Sequence, residues 1–507
     1  MPTKKQDKVE DDIRLSLVSS HTSRNLDGSG TSTVKSSIVG LGAVGSFIVG
    51  ATTYIKDKKF INCFADKIVD PLTREDTYYV TKRPGFAVLN TPEVGSVATA
   101  VKVWSVNADK VISAFGSTNS NLYDGVTLLG AVTGQVVSID ETLIGTTAYL
   151  VVPTTSNKAY YSTGTTFTEI TDTAFPSNAS RTITGNFVFI DGYAFIMDTG
   201  GRIYNSDLNS ITAWTEDSYI SANMYPDTGI GLARYKNMIV AFSKETVEFF
   251  YNSGETPGSP LSRYESGFVH FGCLNQYSYT QIEDTVAWIS SSDRSGLSVY
   301  LLEGVQPKKI STAYIDSQLA QATTASTFMT AARLVGKTFI VITSSAGTFV
   351  YCVEDNMWHE WLSQVPLWHH MSGTTSGSRV IYSVSRSDTG GKVFSIDPAT
   401  LVYTDNGVEF LMLLQTTKFD NNTIKFKFLN KLSLVGDTAS ATNSMSISWS
   451  DNDYVTFSTP RTIDLNSNNP YLMNCGKFRR RAFRFNNVTA NPVRLEAIEL
   501  QIKQGIH

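Results

Sequence analysis

The chain is poor in charge: of 507 residues only 17% are Asp, Glu, Lys or Arg, and the formal net charge is −4. That is below the usual quarter for soluble proteins. No global positive field exists to gather nucleic acid by counterion release, which argues against duplex binding by the chain as a whole. Cysteine is scarce too. Cys63, Cys273, Cys352 and Cys475 lie far apart with no C-x-x-C spacing, which excludes the usual zinc and redox pairs and leaves four small apolar side chains of a chain made in reducing cytosol. Histidines number six, His21, His270, His359, His369, His370 and His507. The adjacent pair His369-His370 points to opposite faces of a strand and is poorly placed to share a metal. There is no H-E-x-x-H, G-x-S-x-G or acidic calcium loop, so no catalytic residue, cofactor or metal is expected. Long hydrophobic runs are missing as well. The most apolar stretch, Ile38 to Ala51, carries four glycines and is shorter than the ~20 residues of a spanning helix. The opening "MPTKKQDKVEDDIR" has no apolar core of a secretory signal.

What the chain has instead is β-forming residues, with 23 Tyr, 27 Phe and abundant Ser, Thr and Asn, pointing to an all-β fold. From about residue 100 one design returns: a short apolar strand, a Ser/Thr/Asp/Gly turn, and a second strand ending near a large apolar residue. It occurs at Val111, Ala148, Ala194, Met238, Thr285, Thr338 and Arg379, with onsets about 37 to 53 residues apart. Four-stranded propeller blades repeat in that range, so the spacing predicts a β-propeller of about seven blades. A set of β-sandwiches is the alternative, because hairpin spacing does not fix closure. The predicted domains are an N-terminal arm with an apolar Gly-rich insertion (1–57, insertion 38–55), the propeller (58–407), and a C-terminal β-sandwich-like domain (408–507). One helix is expected within Ala313 to Leu334, docking Ile315, Leu319 and Phe328.

Three motifs invite functional readings. In "KSSIVGLGAVGSFIVG", Gly40, Gly42 and Gly45 have the spacing G-x-G-x-x-G. A dinucleotide turn must open a helix so that free amides face the pyrophosphate. Here a β-branched segment broken by Gly50 follows, so an apolar loop or hairpin is expected. Its Ile38, Val39, Leu41, Val44, Phe47 and Ile48 are costly to expose and are the candidate contact with a neighbouring subunit or a partner protein. The one basic cluster, "KFRRRAFRF", holds Lys477, Arg479, Arg480, Arg481 and Arg484. Basic residues interleaved with aromatics could grip a nucleic-acid strand, but in an acidic chain the better reading is hydrogen bonds and ion pairs within the fold, at an interface or at a lumen. "SWSDNDYVTF" from Ser448 loosely resembles the Asp-box hairpin of sialidases, which is a structural turn even there.

Three passages resemble a known family, the tail nozzle (tail hub, packaged-DNA stabilisation) proteins of short-tailed bacteriophages. The first is "KKFINCFADKIVDPLTREDTYYVTKRPGFAVLN", Lys58 to Asn90, similar to the family's strand followed by an R-x-PGF/L turn, here Arg83-Pro84-Gly85-Phe86. The second runs from "KETVEFFYN" at Lys244 to "GTFVYCVEDNMWHEW" ending at Trp361 and is the most specific. The third pairs "SWSDNDYVTFSTPRTIDL" with "GKFRRRAFRF", and departs from the family's glycine-rich turn at Asn452-Asp453-Tyr454 and from its Leu-Gly at Asn474-Cys475-Gly476. The insertion at 38–55 is not a family feature.

The resemblance implies a structural virion protein with no catalytic residues. Such a protein forms a six-fold ring of copies at the distal end of the portal–adaptor stack. Its implied partners are itself, the tail adaptor protein and a tail fibre or spike. Double-stranded DNA passes transiently, and no small-molecule substrate is implied. Its place is the phage tail, after synthesis in the host cytoplasm. A propeller glycan hydrolase or depolymerase, or a glycan-binding module, is the alternative that the repeats alone leave open.

Overall fold

The computed structural model describes residues 11–16, 59–69 and 76–505, apart from 256, 283–284, 292–295, 375–377 and 440–441. The chain forms two compact units, one of Met1–Gly85, Asp355–Leu362 and Val402–His507, the other of Phe86–Glu354 and Ser363–Leu401.

The second unit is the propeller, and each recurring hairpin is the middle of one blade. Blade 1 has strands Ala98–Trp104, Lys110–Phe115, Ser120–Asp124 and Thr127–Val132. Blade 2 begins with Asp140–Ile144, blade 3 with Ile183–Ile190, blade 4 with Gly229–Tyr235 and blade 5 with Tyr279–Ile282, each continuing as a four-stranded antiparallel meander. Blade 6 contributes Phe328–Leu334, Lys337–Ser344 and Gly347–Cys352 to this unit. Blade 7 comprises His370–Gly373, Ile381–Val384 and Val393–Ile396, and its outermost strand is Ala87–Asn90, antiparallel to Val393–Ile396. The unit's first strand thus completes its last blade. The ring closes where His370–Gly373 contacts both Phe328–Leu334 and Ala98–Trp104.

The middle strands are apolar at nearly every position because both faces are covered by neighbouring blades. Blades 4 and 5, for example, share a core in which Phe242 stands 4.9 Å from the Tyr279 ring and 5.6 Å from Trp288. Phe115 of blade 1 and Val384 and Val393 of blade 7 share another. Burying each such side chain contributes ~1.5–3 kcal/mol, so these seams help to hold the ring closed. The expected helix is Ala313–Gln321, capped by the Thr312 hydroxyl, with Ile315 and Leu319 buried. Phe328 is instead the first residue of the inner strand of blade 6, because the β-branched run Thr323, Thr324, Thr327 ends the helix.

The other unit is a sandwich. One sheet orders Cys63–Val69, Asp76–Lys82, Arg494–Gln504, Lys427–Gly436 and Tyr471–Met473, with Asp11–Ser16 on Arg494–Gln504 and Lys477–Phe478 on Lys427–Gly436. The second contains Met357–Trp361, Lys59–Ile61, Met412–Gln415, Ala482–Asn487, Ser444–Ser450 and Arg461–Asp464. Leu429, Leu432, Ile498 and Leu500 of the first meet Leu414, Ile447, Phe483 and Phe485 of the second in one core. Residues 58–85, expected in the propeller, fall in this unit, because Phe60, Cys63, Ala65 and Val80 supply part of that core. The propeller begins at Phe86 and the sandwich resumes at Val402, rather than at 58 and 408.

Candidate functional site

Within the propeller the starts of the inner strands converge at one end of the ring. Asp140 opens blade 2; its Oδ2 accepts from the Ser138 hydroxyl and from the Phe187 amide of blade 3. Burial pushes its carboxyl up to about 6 against the pull of those hydrogen bonds. Blade 5 sends the Tyr279 hydroxyl to the Asn186 Oδ1 of blade 3, 2.5 Å away. It passes over blade 4, where Gly231 leaves the space: a Cβ there would meet the Tyr279 oxygen at 2.2 Å, and one on Gly185 would meet the Gly231 Cα at 2.6 Å. Burial holds the Tyr279 phenol well above its ordinary value, so it remains a donor at neutral pH.

Blade 7 fills the same end from the other side. The Arg386 backbone amide donates to His369 Nδ1 and its Nε to His370 Nε2, while Nη2 donates to the Thr99 carbonyl of blade 1. The guanidinium lies 4.7 Å from the Tyr277 ring and 4.8 Å from Phe328. Burial, reinforced by the Arg386 charge, lowers His369 to about 4 and His370 well below its usual value. Both imidazoles are therefore neutral acceptors, His369 Nδ1 engaged by the Arg386 backbone amide and His370 Nε2 by the guanidinium Nε. A cavity of about 400 Å³ lies on the blade 2 to 5 side, lined mostly by uncharged groups such as Thr155, Thr184, Asn275 and Gln276. Among the described residues no group of three or more His, Cys, Asp or Glu could hold a metal ion. The chemistry here is hydrogen bonding among mostly uncharged groups, with the Asp140 carboxyl and the Arg386 guanidinium tying blades together.

In the sandwich unit the basic cluster divides. Arg481 is 1% exposed and makes a fork with Asp451, both contacts 2.7 Å, while Nη1 donates to the Cys475 carbonyl and the guanidinium stacks near Phe478 and Trp449. The hairpin end holding Asp451 turns with Asp453 and Tyr454 at positive φ; its Asp-box likeness therefore serves a structural ion pair. Arg484 donates to Gln415 Oε1 and lies 3.7 Å from the Phe457 ring. Lys477, Arg479 and Arg480 are exposed. The apolar candidates Ile38, Val39, Leu41, Val44, Phe47 and Ile48 lie outside the described residues.

The Arg83-Pro84-Gly85-Phe86 motif has a geometric reason. Arg83 is fully buried; its Nη1 and Nη2 grip the Asp405 carboxylate at 3.0 and 2.5 Å, and Nε donates to Asn62 Oδ1. Its guanidinium lies 4.1 Å from the Phe410 ring and 5.5 Å from Trp361. Gly85 is required because a Cβ would lie 2.1 Å from the Thr404 carbonyl oxygen. Phe86, opening the propeller, packs on Trp368. Neighbouring Lys82 is also buried and bonds Asn487 and the Thr489 carbonyl; burial, with Arg83 beside it, lowers its ammonium to about 8. Sequence reading missed Asp140, Tyr279 and Arg386, none of which stands in a motif.

The family model described as "Bacteriophage P22 Gp10, beta-propeller", of the phage stabilisation family, matches residues 76–383. No curated protein matches the chain. Among solved structures, the chain is similar to Chaetomium thermophilum Raptor at 11% identity and TM-score 0.41, over 62% of this chain and 28% of that one. It is similar to BBS1N, solved in complex with ARL6DN, at 12% identity and TM-score 0.41, over 63% of this chain and 98% of that one. BamB from Moraxella catarrhalis aligns at 11% identity and TM-score 0.38, over 66% of this chain and 95% of that one. The family match spans more than half of the chain and includes the first six blades and the inner strand of the seventh, and on that basis the protein belongs to the phage stabilisation family of bacteriophage tail nozzle β-propellers.

Proposed function

We propose that this chain is a structural component of a short-tailed phage tail. It assembles as a six-fold ring below the portal and adaptor, retains packaged DNA, anchors fibres or spikes, and conducts DNA on ejection. It works through interfaces and not through turnover, and it belongs in the virion after synthesis in the host cytoplasm. The observation that carries this reading is the family match across the propeller.

Physical features support it. Tyr279, Asn186 and Arg386 bridge blades at one end of the propeller's own inner ring. A duplex, whose major groove alone is ≈ 12 Å wide, has no passage through a gap crossed by hydrogen bonds. These crossings support a conduit enclosed between copies in a closed ring of heterologous interfaces. The apolar segment 38–55 is the proposed contact with a neighbouring copy or adaptor.

The test is the mass of the purified protein in solution, alone and with adaptor, followed by negative-stain imaging. A six-fold ring, or a monomer that closes into one on adding adaptor, supports the reading. A strict monomer that ignores tail components and binds or cleaves a polysaccharide overturns it in favour of the glycan-directed alternative.

A further inference from the structure

The outward face of the first sandwich sheet gathers cations at one end, with exposed Glu499, opposite Ser433, further along it and Asp12 in register with Gln501. Lys503, Phe428 and Lys477 are cross-strand partners in one row; Gln501, Lys431 and Met473 form the next row but one, after a bulge at Leu429/Lys431. Their alternating neighbours Leu429, Phe478, Ile502, Leu432 and Leu472 are buried. Strand parity therefore directs the lysines away from the core. Lys425 and Phe426 lead into the same strand, and Arg479 follows Phe478.

Four cations thus share one face, Lys431, Lys477, Arg479 and Lys503, and exposed Lys425 lies beside it just before the strand begins. Among the described residues none of the five has a carboxylate within ion-pair distance, in contrast to Arg481 with Asp451, Arg494 with Asp66 and Asp437, or Lys158 with Glu169. Beneath the face Lys427 is fully buried and its ammonium donates to the carbonyls of Thr423 and Lys425, which adds positive potential from behind. Aromatic rings hold the cations in place. Phe426 lies between Lys477 at 5.4 Å and Arg479 at 4.4 Å, and Tyr471 lies 4.7 Å from Lys431. Those rings are already capped, so they offer little for stacking bases.

We infer that this face is a binding site for the phosphodiester backbone of duplex DNA. A pre-arranged set of unpaired cations in a chain of net charge −4 complements a regular polyanion, and phosphate contacts position without reading sequence. The choice of DNA among polyanions rests on the reading of the protein as a DNA-retaining tail component. The site's weakness is functional: about five contacts give an affinity that collapses with salt, which suits a strand that must be held and later slide.

The experiment titrates a fluorescein-labelled 30-base-pair duplex of mixed sequence with the full chain, by anisotropy, from 50 to 200 mM NaCl. Five neutralised phosphates predict a log–log slope of about −4.5, a loss of ~500-fold across that range. The variant Lys431→Gln/Lys477→Gln/Arg479→Gln/Lys503→Gln should lower the slope to about −1. Lys477→Arg/Arg479→Lys should keep it, and Lys308→Gln/Lys309→Gln, which removes charge from the propeller, should leave it unchanged. No binding at 50 mM salt, or a slope indifferent to the quadruple change, overturns the site. So does a quadruple variant that stops assembly of a wild-type ring which never binds DNA, since the face would then join copies. Particle mass measured in parallel separates the two claims: a ring that ignores DNA sinks this site and leaves the nozzle reading, whereas a strict monomer binding DNA through this face does the reverse.

Discussion

Replacing Asp405 by Ala tests whether the R-x-PGF motif is a folding device. The change strands Arg83, whose side chain is 0% exposed, without its carboxylate. Breaking a buried pair by removing one partner costs about 3–5 kcal/mol, because the remaining charge keeps its desolvation penalty. The sandwich unit has about 200 residues, for which each kcal/mol moves Tm by ~2–4 °C, so its transition should fall by roughly 6–20 °C. Arg83→Met/Asp405→Leu removes both charges and should recover most of that loss, since an apolar pair of similar volume is often neutral or better. Recovery should stop about 1–2 kcal/mol short, because Arg83 also donates to Asn62 Oδ1 and the Leu362 carbonyl and those acceptors lose a donor. The assay is thermal unfolding with hydrogen exchange resolved on Lys59–Ile61 and Met412–Gln415, the strands nearest in sequence to Asn62 and Phe410. If Asp405→Ala melts within 2 °C of wild type, or the double variant is worse than the single, the buried-pair reasoning fails.

Gly85→Ala should destabilise by about 1–3 kcal/mol or more, since the new methyl meets the Thr404 backbone oxygen and not a flexible side chain; an unchanged denaturation midpoint would refute the close approach. Acid should weaken the propeller. His369 titrates near 4 in the fold against 6.5 for an unperturbed imidazole, so the unfolded chain binds the extra proton and stability is lost as pH falls from about 6.5 towards 4. The loss approaches ~3 kcal/mol, and His370 adds in the same direction. His369→Asn, which retains an acceptor for Arg386, should flatten that acid slope, and an unaltered slope would count against the assignment. Deleting residues 37–53 should impair ring assembly or DNA retention while the propeller's melting is unchanged, and normal assembly would remove the segment from the interface.

The blades were legible because their middle strands are buried on both faces, and that burial writes itself as contiguous apolar runs such as Phe339 to Ile342. Closure was not. Ala87–Asn90 has the burial pattern of an outer strand, only partly covered or exposed, and four residues with no amphipathic pattern give nothing to read. The same limit hid the split of the basic cluster. "KFRRRAFRF" shows five cations, yet which of them turns inward depends on Asp451, thirty residues earlier, and on the register that sets Lys477 opposite Phe428. The pair His369-His370 is expected from strand parity to point to opposite faces of a strand, whereas His369 precedes the strand and both rings lie against Phe328 and accept from Arg386. Arg386 lies on the far side of a hairpin turn, where no local signal links it to the pair.

The proposed conduction and retention of DNA make opposite electrostatic demands. A conduit for DNA should not grip it, which the net charge of −4 satisfies, whereas retention needs a hold somewhere. Concentrating unpaired cations on one sheet face, while ion-pairing others such as Lys158, Lys308 and Arg481, meets both demands. The hold is local and screened within ≈ 10 Å at 0.1 M salt. In the proposed six-fold ring, copies multiply it only where six faces meet one strand. Binding by isolated chains should therefore be feeble at physiological salt and rise steeply on assembly, and equal affinity per chain in monomer and ring would show that the faces do not converge on the DNA path.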